Sequence, residues 1–400
     1  MECKLEDIFE FIRNGANIKQ GHIDGGYPIT RIETISNSYI DTSKVGYAGV
    51  CELGKFKDYL LKDGDILMSH INSEKHLGKT AIYENINEDI IHGMNLLCFR
   101  PNITKVVPKY INYYFNTKYF KIKLPKITKK SVNQASFSVN DLKNLYVYIP
   151  SLERQQKVAN VLDKAQSLID KRKVQIEALD ELVKSRFIEM FGNPATNSKR
   201  WTVEELSKCL INIQNGKSFV CENYSRKDEY PAILKLSAVT YGIYDSSENK
   251  ALTNEELFIE SVEVKKGDLL FTRKNTPELV GMSAYVYETS PNLMMPDLIF
   301  RLNTNEKCNK VYLWKLINHD LFREKIKVLS NGSAKSMSNI SKQRLMSLNI
   351  PIPPIELQNQ FADFIKQVDK LKFEMEKSLK ELKDNFNSLM QKAFNGELFN

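Results

Sequence analysis

Two stretches of the chain carry an unbroken helical pattern of apolar and polar positions. Residues 153–191 contain no Gly or Pro, and apolar side chains recur there at spacings of three and four. One seam position holds Leu162, Ile169, Ile176, Val183 and Met190, and the other holds Val158, Ala165, Arg172, Leu179 and Arg186. The same register returns as Ile365, Lys372, Leu379, Phe386 and Ala393, with Phe361, Val368, Met375, Leu382 and Leu389. This is a heptad seam with three basic interruptions. Each stretch predicts a helix of ~38 residues, ~57 Å long. A helix of that length cannot bury its stripe inside a domain of ordinary size. It needs a long partner, and the chain offers only the other copy. An antiparallel pair is the simplest packing and relates the two halves by a pseudo-two-fold; the alternative is that each helix folds back on its own globular domain.

Ahead of each helix the period changes. Short β-like runs alternate with turns, and the tracts 61–71 and 264–272 read as Gly-Asp turns entering apolar strands. Helical periodicity appears at 108–123 and 310–326. Tyr146-Val147-Tyr148-Ile149-Pro150 closes the first region, and Leu348-Asn349-Ile350-Pro351-Ile352-Pro353 closes the second. This mixed order predicts a compact α+β domain in each half.

The halves are copies. Tyr27-Pro28 returns 203 residues later as Tyr230-Pro231, and Gly64-Asp65-Ile66-Leu67 as Gly267-Asp268-Leu269-Leu270. Gly78 maps onto Gly281, Leu142 onto Leu345, and Pro150, Glu153 and Gln155 onto Pro353, Glu356 and Gln358. Phe191 maps onto Phe394, while Arg100 with Arg301 and Gly15 with Gly216 drift by a residue or two, as compensating loop insertions require. Anchors in one order over the whole chain mean duplication. Asn193-Pro194 after Phe191-Gly192 stops the first helix. The predicted boundaries are 1–150, 151–192, 193–352 and 353–400.

Composition narrows the class. With 400 residues the chain suits two to four domains, and a 42% hydrophobic content supplies real cores. The net charge of +8 is moderate, which fits a basic face or an ordinary Lys-rich surface. Cys3, Cys51, Cys98, Cys209, Cys221 and Cys308 are scattered without a C-x-x-C pair, so neither a zinc site nor a disulfide framework is indicated. The first residues lack the apolar core of a signal peptide, and no run approaches the ~20 apolar residues of a membrane span. The expectation is a cytoplasmic protein with no membrane partner.

Catalytic constellations are missing from the pattern. Asn215-Gly216-Lys217-Ser218 resembles the end of a phosphate-binding loop, but Ile211 stands where its first Gly is needed. There is no G-x-G-x-x-G after a strand and no G-x-S-x-G elbow. His22, His70, His76, His92 and His319 show no metal spacing and read as surface or ligand-contact residues with no catalytic role.

The layout resembles the specificity subunits of type I restriction–modification systems, over essentially the whole chain. The resemblance rests on the tandem organisation and on the Pro and Glu-x-Gln that open each helix (Ile149-Pro150-Ser151-Leu152-Glu153-Arg154-Gln155 and Ile352-Pro353-Pro354-Ile355-Glu356-Leu357-Gln358). It rests also on Gly-Asp-Ile/Leu-Leu before a mid-domain loop and on Gly332-Ser333-Ala334-Lys335-Ser336 before the closing strand. The first copy departs at that last element, with Thr128-Lys129-Lys130-Ser131 instead.

The resemblance implies a fold of two tandem target recognition domains of mixed α/β structure, joined by two long antiparallel coiled-coil helices. It implies a non-catalytic subunit that reads a bipartite, asymmetric site on double-stranded DNA, with the helices setting the gap. Partners would be two modification (methyltransferase) subunits and motor–nuclease restriction subunits. S-adenosylmethionine, ATP and Mg would sit on those partners, with no cofactor or metal on this chain. Arg and Asn are best shaped for bidentate contact to guanine and adenine edges, which nominates Arg273, Lys274, Asn275 and Thr276 in the second copy. The matching loop of the first holds Ser69, His70, Asn72, Ser73 and Lys75. Lys335 and Ser336, their counterparts Lys129, Lys130, Asn133 and Gln134, and Lys217 are further candidates for phosphate or base contact. Two other classes stay open: the recognition subunit of a related type II system with bipartite sites, and a coiled-coil scaffold that binds protein only.

Overall fold

The duplication appears as one strand order drawn twice. The structure, a computed structural model, describes residues 2–21, 25–35, 39–84, 86, 88–132, 134–330 and 337–399. It divides into two compact units, Met1–Lys173 with Lys377–Asn400, and Val174–Glu376. In unit 1 an antiparallel four-stranded sheet runs Phe9–Asn14, Leu96–Pro101, Ile66–Ser69, Thr80–Ile82. In unit 2 the order is Leu210–Asn215, Ile299–Thr304, Leu269–Thr272, Ser283–Tyr285. The closing strands do not join these sheets. Tyr146–Tyr148 pairs with Glu2–Lys4 and Asn349–Ile352 with Thr202–Glu205, so each domain ends against its own first strand.

The Gly-Asp motif is a turn with an anchor. Gly64 and Gly267 sit at φ +89° and +87°, in the left-handed region that favours glycine. The following carboxylate bonds back across the turn, Asp65 Oδ2 accepting from Lys62 N and Asp268 Oδ2 from Lys265 N, each at 2.8 Å. It also pairs with an arginine of the adjacent strand: Arg100 donates through Nε (2.8 Å) and Nη2 (2.6 Å) to Asp65, and Arg301 Nε meets Asp268 at 2.8 Å. The arginine that drifted in the repeat is therefore the partner of the aspartate that did not.

A nine-residue helix packs on each sheet, Pro108–Asn116 in unit 1 and Lys310–Asn318 in unit 2. Both are shorter than the periodicity predicted. In unit 1 Thr117 interrupts the helix, and its hydroxyl accepts from Phe120 N to start a separate turn, Lys118–Lys121. In unit 2 the chain restarts at Arg323–Val328.

The two long helices are Leu152–Phe191 and Ile355–Asn395, about 60 Å each at the α-helical rise. Gly192, at φ +77°, ends the first. Within each unit they run antiparallel. In unit 1, Val158 and Leu162 share a core with Phe386, Leu389 and Ala393, and Arg154 bonds the Gly396 carbonyl (2.8 Å). In unit 2, Phe187 meets Phe361, and Lys372 grips both carboxylate oxygens of Asp180 (2.6 and 2.8 Å). The predicted seam residues Leu162, Ile169, Leu179, Ile365 and Val368 are buried. Ile176, Val183, Leu379, Leu382, Phe386 and Leu389 are half-buried. Arg186, a basic interruption, lays its guanidinium over Phe364 and pairs with Glu189.

A buried glutamine couples each helix to its domain. Gln155 and Gln358 are both 0% exposed. Gln155 accepts from Val107 N (2.8 Å) and donates to Lys105 O (3.1 Å) and Pro150 O (2.9 Å). Gln358 accepts from Asn309 N (2.9 Å) and donates to Lys307 O (3.1 Å) and Pro353 O (2.8 Å). This explains the Glu-x-Gln element: one side chain satisfies the start of the domain helix and the start of the long helix together.

Candidate nucleic-acid interface

Each four-stranded sheet carries a loop joining the two strands that end its spatial order, 70–79 between Ile66–Ser69 and Thr80–Ile82 in unit 1 and 273–282 between Leu269–Thr272 and Ser283–Tyr285 in unit 2. The loop base is pinned identically. Ser69 bonds Lys79 O and Gly78 N, and Thr272 bonds Met282 O and Gly281 N. Gly78 and Gly281 have positive φ, and a Cβ there would stand 2.3 Å from Leu124 or Ile326. Inside the loop a two-residue strand pairs with a segment far along the chain. Ile71–Asn72 pairs with Ala135–Ser136, which also pairs with Lys129–Lys130. Lys274–Asn275 pairs with Ser338–Asn339. In each copy the first candidate loop thus forms a small sheet with a segment distant in sequence, Lys129–Lys130 and Ala135–Ser136 in unit 1 and Ser338–Asn339 in unit 2.

The predicted residues do not all point outward. Ser73, Lys75, Lys129, Lys130, Gln134, Lys217 and Thr276 are exposed, and Asn72, Arg273 and Lys274 are half-buried. Ser69, His70 and Asn275 are interior, which corrects their reading as surface contacts. Ser69 holds the loop base. Asn275 donates to Thr240 Oγ1 (3.1 Å) and accepts from Thr276 N (2.8 Å), so it shapes the loop. Asn72 likewise accepts from Ser73 N (2.7 Å). Asn133, Lys335, Ser336 and His22 lie outside the described residues.

The surface reading of the histidines is corrected in the same way for His70 and His92, while His76 and His319 are half-buried. Burial pushes His70 down to about 4, and His92, buried with Nε2 against Leu96 O (2.8 Å), also to about 4. Both rings are neutral near pH 7. His70 occupies the place of Arg273: Phe137 N bonds His70 O (3.2 Å), as Ile340 N bonds Arg273 O (2.8 Å).

Arg273 is held. Its Nε and Nη2 both donate to Asn339 Oδ1 (3.3 and 3.2 Å), and the guanidinium lies 5.2 Å from the Phe300 ring centre. Lys217 is on a segment joined to the same region: Lys217 N bonds Met295 O (2.9 Å), Ser218 bonds Asp297, and Arg273 N bonds Leu298 O (3.0 Å). In unit 1 the charge is differently placed. Residues 118–130 include six lysines and no acidic residue. Burial, then the nearby Lys79, depresses the Lys121 ammonium below its usual range. Lys130 bridges to Glu74 at 2.7 Å, joining the two segments of the interface. The lysine run was a signal that loop-by-loop reading passed over. Among the described residues no three His, Cys, Asp or Glu side chains are grouped to hold a metal. No helix among them is long and apolar enough to cross a membrane.

The family model for the type I restriction modification DNA specificity domain matches twice, over residues 1–178 and 199–383. The chain belongs to that family. A putative type I restriction enzyme specificity subunit, MjaX, from Methanocaldococcus jannaschii is 34% identical over 385 residues, covering 92% of this chain and 86% of its own. The EcoKI specificity subunit of Escherichia coli K12 is 22% identical over 395 residues, covering 94% and 83%. The crystal structure of the type I restriction-modification system S subunit from M. genitalium superposes with a TM-score of 0.57 at 12% identity, over 98% of this chain and 95% of that one. At that identity the likeness concerns the fold: tandem mixed α/β domains with long helices. As a type I specificity subunit, this chain determines DNA sequence specificity, with one specificity domain for each match.

Proposed function

We propose that each unit reads its own half of a bipartite, asymmetric DNA site, and that the chain directs adenine methylation and cleavage carried out by partner subunits. The observation that carries this reading is the division of labour in the repeat. The Asp–Arg anchor, the glycine-pinned loop and the glutamine lock are the same in both units. The side chains at matching loop positions differ: the interior His70 stands against the half-buried Arg273, and Ser136 against Asn339. Two identical frames with different reading edges suit two half-sites of different sequence.

The chain itself does no chemistry in this reading. It supplies recognition domains at 1–150 and 193–352 and spacer segments at 151–192 and 353–400. The long helices fix the unread gap and offer surface to two modification subunits, while motor–nuclease subunits add translocation and cleavage. S-adenosylmethionine, ATP and Mg belong to those partners. Single-molecule sequencing of the source genome, with and without this gene, tests the reading. The expected result is an adenine-methylated motif of two different half-sites with a fixed gap, absent from the deletion strain. A continuous or palindromic motif, or one that survives deletion, overturns it.

A further inference from the structure

Next to the unit 2 loop stands a second, shorter projection that the sequence did not single out. The turn Thr240–Ile243 follows the helical segment Ser237–Thr240, and it exposes two large apolar side chains, Tyr241 (73%) and Ile243 (64%). The turn is rigidly fixed. Gly242 O accepts from Trp314 Nε1 (3.0 Å), Gly242 N donates to Val239 O (3.1 Å), and Thr240 Oγ1 donates to Leu236 O (2.8 Å). Gly242 has φ +78°, and a Cβ there would stand 3.1 Å from Asn318 Nδ2 and 3.2 Å from Met282 Cε. Fixing a turn in place costs conformational entropy, and here the ordered turn holds two apolar side chains in water. One isolated exposed apolar residue needs no explanation; two on one immobilised turn do.

The turn is continuous with the candidate interface. Asn275 Nδ2 bonds Thr240 Oγ1 at 3.1 Å, so the residue shaping the reading loop also fastens the turn. Lys274 and the exposed Thr276 flank that bond. Resting on the specificity reading above, we infer that Tyr241 and Ile243 touch DNA and read a thymine in the unit 2 half-site through its 5-methyl group. The methyl is the one apolar feature in the major-groove code, and apolar side chains are its natural partner. Arg273 and Lys274 would supply polar and charged contact, and the turn the apolar one.

The test uses the complex of this chain with its modification subunits, on duplexes bearing the motif that the complex methylates. Tyr241→Ala should weaken binding about ten-fold, the worth of one buried apolar side chain. The slope of log K against log salt should stay that of the wild type, since no phosphate contact is lost. Tyr241→Phe should bind like wild type. Replacing thymines one at a time by deoxyuridine should identify one whose methyl is worth about 4-fold. That penalty should vanish in the Tyr241→Ala, Ile243→Ala double variant. Undiminished binding by that variant, a changed salt slope, no methyl-sensitive thymine, or a penalty persisting in the double variant overturns the inference and leaves the specificity reading standing. A wild-type complex that binds every duplex alike overturns both.

Discussion

The reading loops of the two units start from the same place and present opposite chemistry. Both leave the sheet at a buried hydroxyl residue, Ser69 or Thr272, and return at a glycine, Gly78 or Gly281. Between those points unit 1 turns His70 inward as a neutral ring and gathers lysines around Lys129. Unit 2 holds an arginine at the surface by Asn339 and Phe300 and spends other cations internally. Arg323 donates to the carbonyls of Gly281 and Val280, and Lys327 pairs with Glu278 and Glu324. Residues that fix where a loop stands are preserved between copies, because altering them disturbs the core. Residues that only face outward are free to diverge, so under the function proposed above unit 1 would lean on phosphate attraction and unit 2 on directed contact.

The shared frame is the place to break the comparison hardest. Asp65→Ala or Asp268→Ala leaves a largely buried guanidinium without its carboxylate, held only by neutral acceptors such as Leu60 O or Gln214 Oε1, and should cost about 3 kcal/mol. Trp201 and Trp314, the chain's two tryptophans, both lie in unit 2. In urea, Asp268→Ala should therefore lower the tryptophan-fluorescence midpoint, while Asp65→Ala lowers the circular-dichroism midpoint and leaves fluorescence in place. Equal shifts in both signals would mean that the units unfold as one.

Acid should separate the units next. His70 and His92 have folded values of about 4, below the ordinary histidine value. As pH falls, the unfolded chain takes up these protons near 6.5 and the folded one does not until about 4. The stability they contribute is thus complete above pH 6.5 and lost between 6.5 and 4, on the order of 3 kcal/mol for each ring. In unit 2, burial lowers His319 in the same direction, but burial raises Asp268, which works the opposite way. Unit 1 should melt first at pH 5, with ellipticity lost ahead of the tryptophan signal, and His92→Gln should narrow the difference.

At the surface the effects are smaller. Arg273→Ala should cost about 1–3 kcal/mol of binding and relax discrimination at one base pair. Arg273→Lys should not restore it, because Lys lacks the planar fork that Asn339 aims. A uniform loss over all sequences would make Arg273 a phosphate contact instead. Lys126→Ala and Lys129→Ala in unit 1 should each reduce the salt slope by about 0.9 with little change in preference. An altered motif in either variant would remove the electrostatic reading of that loop.

Much of the frame was legible because it repeats. Gly64-Asp65 against Gly267-Asp268, and Gln155 against Gln358, are local signatures whose geometry depends on near neighbours. The heptad seam was legible for the same reason, since burial along a helix follows from spacing. The interface was not, because its parts meet through pairing of strands more than sixty residues apart, Asn72 with Ala135 and Lys274 with Asn339. No local pattern says that the backbone at His70 faces Phe137, so its inward ring could not be told from an exposed one. Tyr241 and Ile243 were passed over because one apolar residue on either side of a glycine has no period.

The glutamine lock bears on how such a protein can change over generations. Gln155 and Gln358 address only main-chain atoms: the Val107 amide and the Lys105 carbonyl in one copy, the Asn309 amide and the Lys307 carbonyl in the other. That joint follows the course of a loop and is indifferent to its side chains, so substitutions along 105–107 or 307–309 that keep the bend leave it intact. The aromatic contacts beside it are not indifferent: Tyr113 bonds Asp163 and Tyr312 stacks on Phe187, so a change at either tyrosine has to be answered on the helix.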